Sequence, residues 1–268
     1  IIMLLYPNAK INIGLNITNK LKSGYHVIES CFCPVSLYDI IEIKESNRNN
    51  LSISGIKIDG KKSNNIVSRA INTFNSDKKF NIHLHKNIPI GAGLGGGSSD
   101  GSSILKFLNN KYPKYDQEKL LSESNKIGSD CPFFIYNKIK YVTGTGDIFE
   151  EIKIDLTKKQ IIIVNPKVSI NTAEAFQNIY PNKPKYNLKE VLENENLENW
   201  KKFLKNDFEN YAFSKVKILK KIKDHLTKVG AKYVSLSGSG SCLYGIFNIE
   251  DLDETEINFS YYSVKALA

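Results

Sequence analysis

The chain of 268 residues contains few cysteines, one tryptophan and one methionine. Its four cysteines are scattered, and Cys31 and Cys33 lack the two-residue spacer of zinc-binding and redox pairs. This spacing argues against a zinc or thioredoxin-like site and favours reduced thiols. The apolar start at residues 1–5 is too short for a membrane span or a signal-peptide core. We therefore expect a soluble protein, located in the cytoplasm or, if the source is eukaryotic, in a plastid.

Arginine is also scarce, although 37 Lys+Arg against 28 Asp+Glu give the chain a net charge of +9. The basic residues are nearly all lysines, and they are spread along the whole sequence. They form no arginine-rich stripe and no patch of alternating basic and aromatic residues of the kind that binds single strands. We therefore expect neither a nucleic-acid nor a membrane partner. The length allows one or two domains, and we favour two.

The apolar pattern predicts strands and helices that alternate without an internal repeat. Strands are predicted at residues 4–16, 25–37, 39–44, 51–58, 79–85, 140–142, 148–154, 160–164, 233–236, 242–247 and 261–265. Helices are predicted at residues 66–74, 119–127, 172–179, 188–204 and 213–229, with a further helix from Ser98. This mixture predicts the α+β class.

The most informative segment is residues 89–99, which read Pro-Ile-Gly-Ala-Gly-Leu-Gly-Gly-Gly-Ser-Ser. Ordering glycine costs conformational entropy, so such a cluster is typical of places where the backbone itself approaches a ligand. A strand is predicted before the loop, and the helix after it carries an apolar stripe of Ile104, Leu105 and Leu108. The N–H groups and the positive dipole end of a helix N-terminus bind anions. We expect a triphosphate here, in preference to the alternative of a flexible linker.

Two common nucleotide-binding designs do not fit this loop. No Gly-Lys-Ser/Thr sequence closes it, which excludes the P-loop. The loop is also not the Rossmann fingerprint, because that motif opens a parallel unit near the start of a domain. A different nucleotide-binding design is therefore predicted. His83 and His85, on the strand before the loop, share one face as a metal pair would, but no third ligand is evident. We interpret both histidines as strand residues.

Three segments in this order resemble the GHMP kinases, the family of galactose, homoserine, mevalonate and phosphomevalonate kinases: residues 7–15, the glycine-rich loop, and residues 236–247. Further matches at residues 9–12, 24–26, 127–134 and 144–147 resemble one branch of that family. Members of this branch use ATP to phosphorylate the 2-hydroxyl of a cytidine diphosphate-linked methylerythritol, on the non-mevalonate route to isoprenoids. The resemblance covers nearly the whole chain and is weakest at residues 181–227.

The resemblance implies a fold of two α+β lobes. Residues 1–156 would form an N-terminal lobe similar to the second domain of ribosomal protein S5, and residues 157–268 a ferredoxin-like α/β sandwich lobe. It further implies that ATP, with Mg²⁺, and the small-molecule substrate bind in the cleft between the lobes. The oligomeric state is left open by the sequence.

Phosphoryl transfer to an alcohol needs a held triphosphate, a divalent metal to offset charge, and a group that accepts or weakens the hydroxyl proton. The resemblance assigns proton acceptance to Asp130, with Lys10 orienting it and stabilising the developing alkoxide. Strand alternation places Lys10 on one face with Asn12 and Gly14. The alternatives are that Asp130, which lies ahead of Pro132, only caps a helix, and that Lys10 is a solvated strand residue.

The resemblance also implies a cytosine site. Tyr25 would stack on the ring, His26 would read its polar edge, and Phe176 would cover the opposite face. Asn12 and Thr172 are further substrate-binding candidates. The alternative for Tyr25 and His26 is an aromatic pair at a strand end that packs on the core.

For ATP, the matching positions at the phosphates are Gly91, Gly93, Leu94, Gly95, Gly96, Gly97, Ser98 and Ser99. Asn65 and Lys86 are expected toward the adenine. The loop carries more glycines than the family pattern Gly-Leu-Gly-Ser-Ser, so the sequence does not identify a serine that contacts magnesium. Asp100 stands where relatives often have Asn or Ala.

Two alternative functions remain open. The first is another GHMP kinase, acting on mevalonate, phosphomevalonate or homoserine, against which the Gly-Tyr-His segment at residues 24–26 argues. The second is a catalytically silent sensor that kept the fold. The presence of both Lys10 and Asp130 argues against a sensor.

Overall fold

A computed structural model describes residues 1–267 of the chain. Its strands are β1 Met3–Leu5, β2 Asn8–Lys20, β3 His26–Tyr38, β4 Ile40–Ser46, β5 Asn50–Gly55, β6 Lys79–Lys86, β7 Lys140–Thr143, β8 Ile148–Glu150, β9 Lys159–Val164, β10 Tyr233–Leu236, β11 Leu243–Asn248 and β12 Tyr261–Val264. Its helices are α1 Ile66–Phe74, α2 Gly96–Lys111, α3 Gln117–Ile127, α4 Cys131–Tyr136, α5 Thr172–Gln177, α6 Leu188–Asn194, α7 Leu197–Phe203, α8 Glu209–Lys215 and α9 Lys217–Lys228. Within this range, no helix combines the length and the hydropathy needed to cross a bilayer.

Contacts between residues divide the chain into two compact units. The first unit contains residues 1–9, 37–90 and 95–137, and the second contains residues 10–36, 91–94 and the chain from Lys138 onward. The units therefore alternate along the sequence, and the glycine-rich loop contributes to both. The boundary expected between residues 156 and 157 stays a prediction, because grouping by contact does not define the lobes of the family.

The first unit is built on a sheet with the strand order β1-β4-β6-β5. The strand β4 is antiparallel to both of its neighbours, whereas β5 is parallel to β6. The apolar side chains of the sheet and of helices α1 to α4 form one buried core, which includes Ile43, Phe74, Ile82 and Leu105. The predicted stripe of α2 lies in this core, so the core fixes the helix that follows the glycine-rich loop.

The second unit contains an antiparallel sheet with the order β10-β11-β9-β12. Its core joins this sheet to helices α5, α8 and α9 and includes Ile162, Phe208, Leu226 and Phe247. The strands β2, β3, β7 and β8 form another sheet in that order, in which Ser30 lies opposite Val142. The two sheets position the polar residues of β2 and β3 and the turn after β10.

Several predicted elements are divided in the structure, each for a local reason. The first predicted strand is two strands, β1 and β2, which are separated at Pro7, a residue without a backbone N–H to donate. The helix predicted at 188–204 is interrupted at Glu195 and Asn196, whose backbones are extended. The helix predicted at 213–229 is interrupted in the same way at Val216. These breaks place two short helix pairs where single helices were predicted.

Two further predictions were wrong near the glycine-rich loop and near Asp130. Helix α2 begins at Gly96 and not at Ser98, because Gly95 takes the N-cap position with a left-handed φ of 68°. The helix α4 was not predicted. Its six residues are almost all apolar, and so short a run has no periodicity that distinguishes a helix from a strand.

Candidate functional site

Gly93 of the glycine-rich loop lies against the turn at residues 237–241, and both belong to the second unit. Its φ is +81°, and a Cβ placed on it would lie 1.8 Å from the carbonyl oxygen of Ser237. The Ser237 hydroxyl donates a hydrogen bond of 2.9 Å to the carbonyl of Gly93. Residue 93 must therefore be glycine, because any side chain would collide with the backbone of the turn.

Backbone hydrogen bonds hold the residues on either side of Gly93. The Cys242 N–H donates to the Ala92 carbonyl at 3.2 Å, and the Lys10 N–H donates to the Leu94 carbonyl at 2.9 Å. Residues 91–94 are thus fixed by β2 and by the chain around β11. The backbone of this loop is therefore held in a defined conformation.

The turn at residues 237–241 is itself braced from behind by Asn206, which is 3% exposed. The Asn206 side-chain amide donates to the carbonyls of Leu236 and Gly238, both at 2.8 Å. The sequence analysis missed Asn206, which lies in the region of weakest resemblance. A signal was present, because three hydrogen-bonding residues, Asn206, Asp207 and Glu209, occur together between two helical patterns.

In the first unit, the 16-residue helix α2 begins directly after Gly95. The first N–H groups of a helix have no hydrogen-bond partner within the helix. A Cβ on Gly96 would lie 2.9 Å from the Nζ of Lys86 and 2.8 Å from Ile88, so this residue packs tightly on β6 and the chain after it. At Gly97 the nearest atom lies 3.9 Å away, on Ile66. The helix start is therefore packed at one glycine and open at the next.

Lys86 lies under this helix start in a buried ionic cluster with Asp39 and Asp100. Its ammonium group bonds to Asp39 and, at 2.8 Å, to Asp100. The other oxygen of Asp39 accepts the N–H groups of Asn87, at 2.6 Å, and Ile88, at 2.8 Å. The cluster ties β6 to α2, so the ammonium of Lys86 is engaged in holding the helix. Its expected contact with adenine stays a prediction.

Asp100 is the unusual member of this cluster. It is 1% exposed, and its Oδ1 has no hydrogen-bond partner among the described residues. Burial raises the pKa of this carboxyl well above its usual range and the Asp39 carboxylate adds to the rise, while Lys86 acts in the opposite direction. The residue that departs from the family pattern is therefore a buried carboxyl group in the N-terminal half of α2.

Asn65 forms the N-cap of α1. Its side-chain oxygen accepts the Val67 N–H at 2.9 Å. This bond occupies the oxygen of the amide. The expected role of Asn65 toward adenine stays a prediction.

Asp130 directly precedes α4 in the first unit and is partly exposed. It occupies the N-cap position of α4, but within the described residues its side chain makes no capping hydrogen bond to that helix. The following turn is fastened to α2, because the Ser102 hydroxyl donates to the Cys131 carbonyl at 2.9 Å and the Cys131 thiol lies 3.5 Å from the Ser98 carbonyl. The backbone that carries Asp130 is thus fixed beside the N-terminal half of α2.

Lys10 and Asn12 share one face of β2 in the second unit, as strand alternation predicted. Both are buried, at 4% and 1% exposure, so Lys10 is not a solvated strand residue. The Lys10 ammonium donates to Asn12 Oδ1 at 2.6 Å and lies 4.7 Å from the centre of the Phe32 ring. Asn12 in turn donates to the Ser30 hydroxyl at 3.2 Å. Lys10 is therefore held in one position by a polar network and an aromatic face.

The residues expected at cytosine also belong to the second unit. The rings of His26 and Phe176 are stacked, with centroids 4.9 Å apart and 25° between their planes. Tyr25 is 69% exposed, which rejects the alternative that this residue packs on the core. Burial, with Lys20, lowers the pKa of His26, and its Nε2 is buried without a partner in the described part of the chain. Thr172 lies nearby in sequence to Phe176, and its hydroxyl is 3.0 Å from that of Ser239.

The structure thus groups the expected site residues within two units. Asn65, Lys86, Gly95, Gly96, Gly97, Ser98, Ser99 and Asp130 belong to the first unit, and Lys10, Asn12, Tyr25, His26, Gly91, Gly93, Leu94, Thr172 and Phe176 belong to the second. In residues 1–267, no group of three or more His, Cys, Asp and Glu side chains is arranged to hold a metal ion.

Comparison with protein families places the chain among known proteins. Residues 65–138 match the description "GHMP kinases N terminal domain", and residues 188–257 match "GHMP kinases C terminal". A 4-diphosphocytidyl-2-C-methyl-D-erythritol kinase of Bacteroides thetaiotaomicron is 41% identical over 274 residues, which cover 98% of this chain and 99% of the relative. The enzyme of the same name from Azobacteroides pseudotrichonymphae is 41% identical over 266 residues, covering 97% and 99%.

Solved structures of low sequence identity share the fold. A crystal structure of 4-(cytidine 5'-diphospho)-2C-methyl-D-erythritol kinase superposes with a TM-score of 0.82 at 24% identity, covering 98% of this chain and 99% of that one. A homoserine kinase from Cytophaga hutchinsonii gives a TM-score of 0.72 at 15% identity, covering 98% and 94%. These similarities confirm the fold predicted from the sequence.

Proposed function

The chain belongs to the GHMP kinase family, and on that premise we propose that it transfers the γ-phosphoryl group of ATP to the 2-hydroxyl of 4-diphosphocytidyl-2-C-methyl-D-erythritol. The observation that carries this proposal is a relative of that name, 41% identical over 98% of this chain. The reaction belongs to the non-mevalonate synthesis of isoprenoid precursors. Its substrates are small and water-soluble, and we place the enzyme in the cytoplasm.

The phosphates of ATP bind, in this proposal, to the backbone of the glycine-rich loop and to the first turn of α2. The proposed contacts are Gly91, Gly93, Leu94, Gly95, Gly96, Gly97, Ser98 and Ser99. Two features support this assignment: the hydrogen bonds that fix residues 91–94, and the N–H groups at the start of a 16-residue helix. The proposed contacts with adenine are Asn65 and Lys86.

Magnesium enters as part of the MgATP substrate. Mg²⁺ keeps several waters and takes one or two protein oxygens together with phosphate oxygens, so a cage of three side chains is not required for it. The hydroxyls of Ser98 and Ser99 and the Asp130 carboxylate are oxygen donors of the type that Mg²⁺ accepts. When bound, the ion offsets the negative charge of the phosphates.

Asp130 accepts the proton of the 2-hydroxyl as the oxygen attacks phosphorus. Its carboxylate is not used in capping α4, and its backbone is fixed to α2. Lys10 stabilises the negative charge that develops on the attacking oxygen, since its ammonium group is held in place by Asn12 and Phe32. The Lys10 ammonium is held in place by protein contacts alone, which lowers the cost of reorganising it during the reaction.

Tyr25, His26 and Phe176 recognise the cytosine, and Asn12 and Thr172 contact other parts of the substrate. An exposed Tyr25 ring is available for stacking. The buried, unpartnered Nε2 of His26 is a polar atom that a ligand hydrogen bond would satisfy. Stacking with a hydrogen bond at the base edge selects for a pyrimidine.

A coupled assay of ATP consumption tests this function with a panel of acceptors. We expect turnover with the cytidyl substrate and at least about 100-fold lower kcat/KM with methylerythritol phosphate that lacks the cytidyl group, because stacking and edge recognition each contribute. Mevalonate, phosphomevalonate and homoserine serve as competing substrates. The proposed substrate would be rejected if methylerythritol phosphate gave the same kcat/KM as the cytidyl substrate, or if one of the competing substrates gave a higher kcat/KM.

Variants of Asp130 and Lys10 test the chemistry. We expect Asp130→Asn to lower kcat by about 100-fold or more while the Kd for ATP changes little, because the variant loses proton acceptance and not nucleotide contacts. Lys10→Met should also lower kcat sharply. Stopped-flow or steady-state turnover with matched ATP titrations measures both. Near-normal kcat in Asp130→Asn would remove the general-base assignment.

A further inference from the structure

The chain between α7 and the first residue of α8 carries three polar side chains, and each bonds to a different part of the second unit. We call residues 206–209, Asn-Asp-Phe-Glu, the bracing segment. The Ile17 N–H donates to the Asp207 carboxylate at 2.7 Å, and the Leu236 N–H donates to the Glu209 carboxylate at 3.1 Å. Asp207 thus holds β2 and Glu209 holds β10. Asn206 differs from both, since one of its partners lies beyond the strand, in the turn at residues 237–241.

Both the nitrogen and the oxygen of the Asn206 side-chain amide form hydrogen bonds. Its nitrogen donates to the carbonyls of Leu236 and Gly238, and its oxygen accepts the Phe208 N–H at 2.9 Å. The side chain is 3% exposed, so these bonds are shielded from water. Aspartate has the same shape but no N–H to donate, and it would direct a carboxylate oxygen at two carbonyls. The site therefore requires an amide of this length.

The braced turn reaches the glycine-rich loop. The loop lies next to Gly238, since a Cβ built on Gly238 would be 3.4 Å from the Cα of Gly93. Ser237, the residue before it, donates its hydroxyl to the Gly93 carbonyl. The position of the turn therefore sets the position of the backbone at residues 91–94, and Asn206 sets the position of the turn.

We propose that Asn206 is a positioning residue for the nucleotide phosphates: it holds the turn at residues 237–241, and through Ser237 this turn fixes the Gly93 backbone in the conformation that binds phosphate. The inference rests on the proposed function, because it takes the glycine-rich loop as the phosphate site. It adds a residue that contacts neither substrate. Loss of the Asn206 bonds loosens the loop and weakens nucleotide binding, while the groups assigned to proton transfer stay unchanged.

The test compares Asn206→Asp with Asn194→Asp. Asn194 is a matched control, since its amide also donates to a backbone carbonyl, that of Glu190 at 2.9 Å, at an exposed position. Titration calorimetry with a non-hydrolysable ATP analogue and Mg²⁺ measures Kd. We expect Asn206→Asp to raise Kd and the KM for ATP about tenfold or more, with kcat at saturating ATP reduced less than about threefold. Asn194→Asp should match the parent protein.

Amide hydrogen exchange gives a second readout that a purely structural role would not move selectively. In Asn206→Asp, exchange at residues 91–94 should accelerate more than exchange in β9, which lies in the same unit. An Asn206→Asp protein that is less stable but has parental Kd and parental exchange at residues 91–94 would overturn the inference.

If Asn206→Asp does not fold, Ser237→Ala carries the test, because it removes the next bond in the series and leaves the bracing segment intact. We expect a severalfold increase in Kd with little change in Tm, and an unchanged Kd would overturn the inference. A parent protein that binds no nucleotide would reject the proposed function as well. If the parent protein, Asn206→Asp and Ser237→Ala all bind the nucleotide equally tightly, only the positioning role is rejected.

Discussion

The two glycine-rich turns at residues 91–97 and 237–241 differ in what occupies the space beside their α-carbons. In the first, the Cβ position of Gly93 is filled by the backbone of Ser237, whereas the Cβ positions of Gly91 and Gly97 meet nothing closer than 3.9 Å in the described chain. In the second, a Cβ on Gly240 would touch the ends of Ile170 and Leu236 at 3.1 Å. The first turn thus includes open glycines, whereas Gly240 of the second turn packs on flexible side chains.

This difference separates two reasons for a glycine. Where protein atoms fill the Cβ position or φ is positive, the folded chain itself favours glycine. Where the space is open and φ is ordinary, as at Gly97, nothing in the protein requires glycine. The proposed function supplies a reason for this glycine, since a phosphate bound there would approach the backbone. Substitution by alanine at three positions distinguishes these reasons, because the same added methyl group meets backbone, flexible side chains or open space.

Gly93→Ala should have the largest effect. The added carbon collides with a backbone oxygen at a positive φ, so we expect a destabilisation of about 3 kcal/mol or more, the sum of left-handed strain and overpacking. Tm measured by calorimetry should fall by roughly 10 °C, and kinase activity should be lost. A Gly93→Ala protein with parental Tm would contradict the close approach of the two turns.

Gly240→Ala should have an intermediate effect. Its φ is +96°, which an alanine adopts at a cost of about 1–2 kcal/mol, while the ends of Ile170 and Leu236 can shift. We expect Tm to fall by about 3–6 °C. A loss as large as that of Gly93→Ala would show that the second turn is packed as rigidly as the first.

Gly97→Ala should have the smallest effect on stability and a clear effect on binding. Alanine favours the helix by about 1 kcal/mol relative to glycine, so Tm should stay unchanged or rise. If phosphate approaches this turn of α2, the methyl group should raise the Kd for an ATP analogue about tenfold. Asn110→Ala, an exposed position near the other end of α2, is the control for helix propensity. A parental Kd in Gly97→Ala would remove this residue from the phosphate site.

The residue patterns predicted much of what the structure shows. The strand at residues 79–85 and the stripe of Ile104, Leu105 and Leu108 were predicted correctly, because period-two and period-3.6 patterns reflect one buried face. The alternation that places Lys10 with Asn12 was confirmed by their hydrogen bond. The resemblance to the GHMP kinases was confirmed by relatives that match nearly the whole chain.

Other features had no local signal. The partners of Lys86 lie 47 and 14 residues away in sequence, at Asp39 and Asp100, and no periodicity relates such positions. Asn206 acts on carbonyls 30 and 32 residues away. The breaks inside the predicted helices at 188–204 and 213–229 were missed because their apolar spacing continues across each interruption.

The sequence by itself determined the class of fold, the family and the position of the glycine-rich loop between a strand and a helix, since these depend on local conformational preference and on the pattern of buried residues. The tertiary structure alone decided which glycines are required by packing, which lysine is tied into a carboxylate cluster, and which asparagine holds the turn against the loop. These are contacts between distant segments. Their energies depend on distance and burial, which become defined only when the chain has folded.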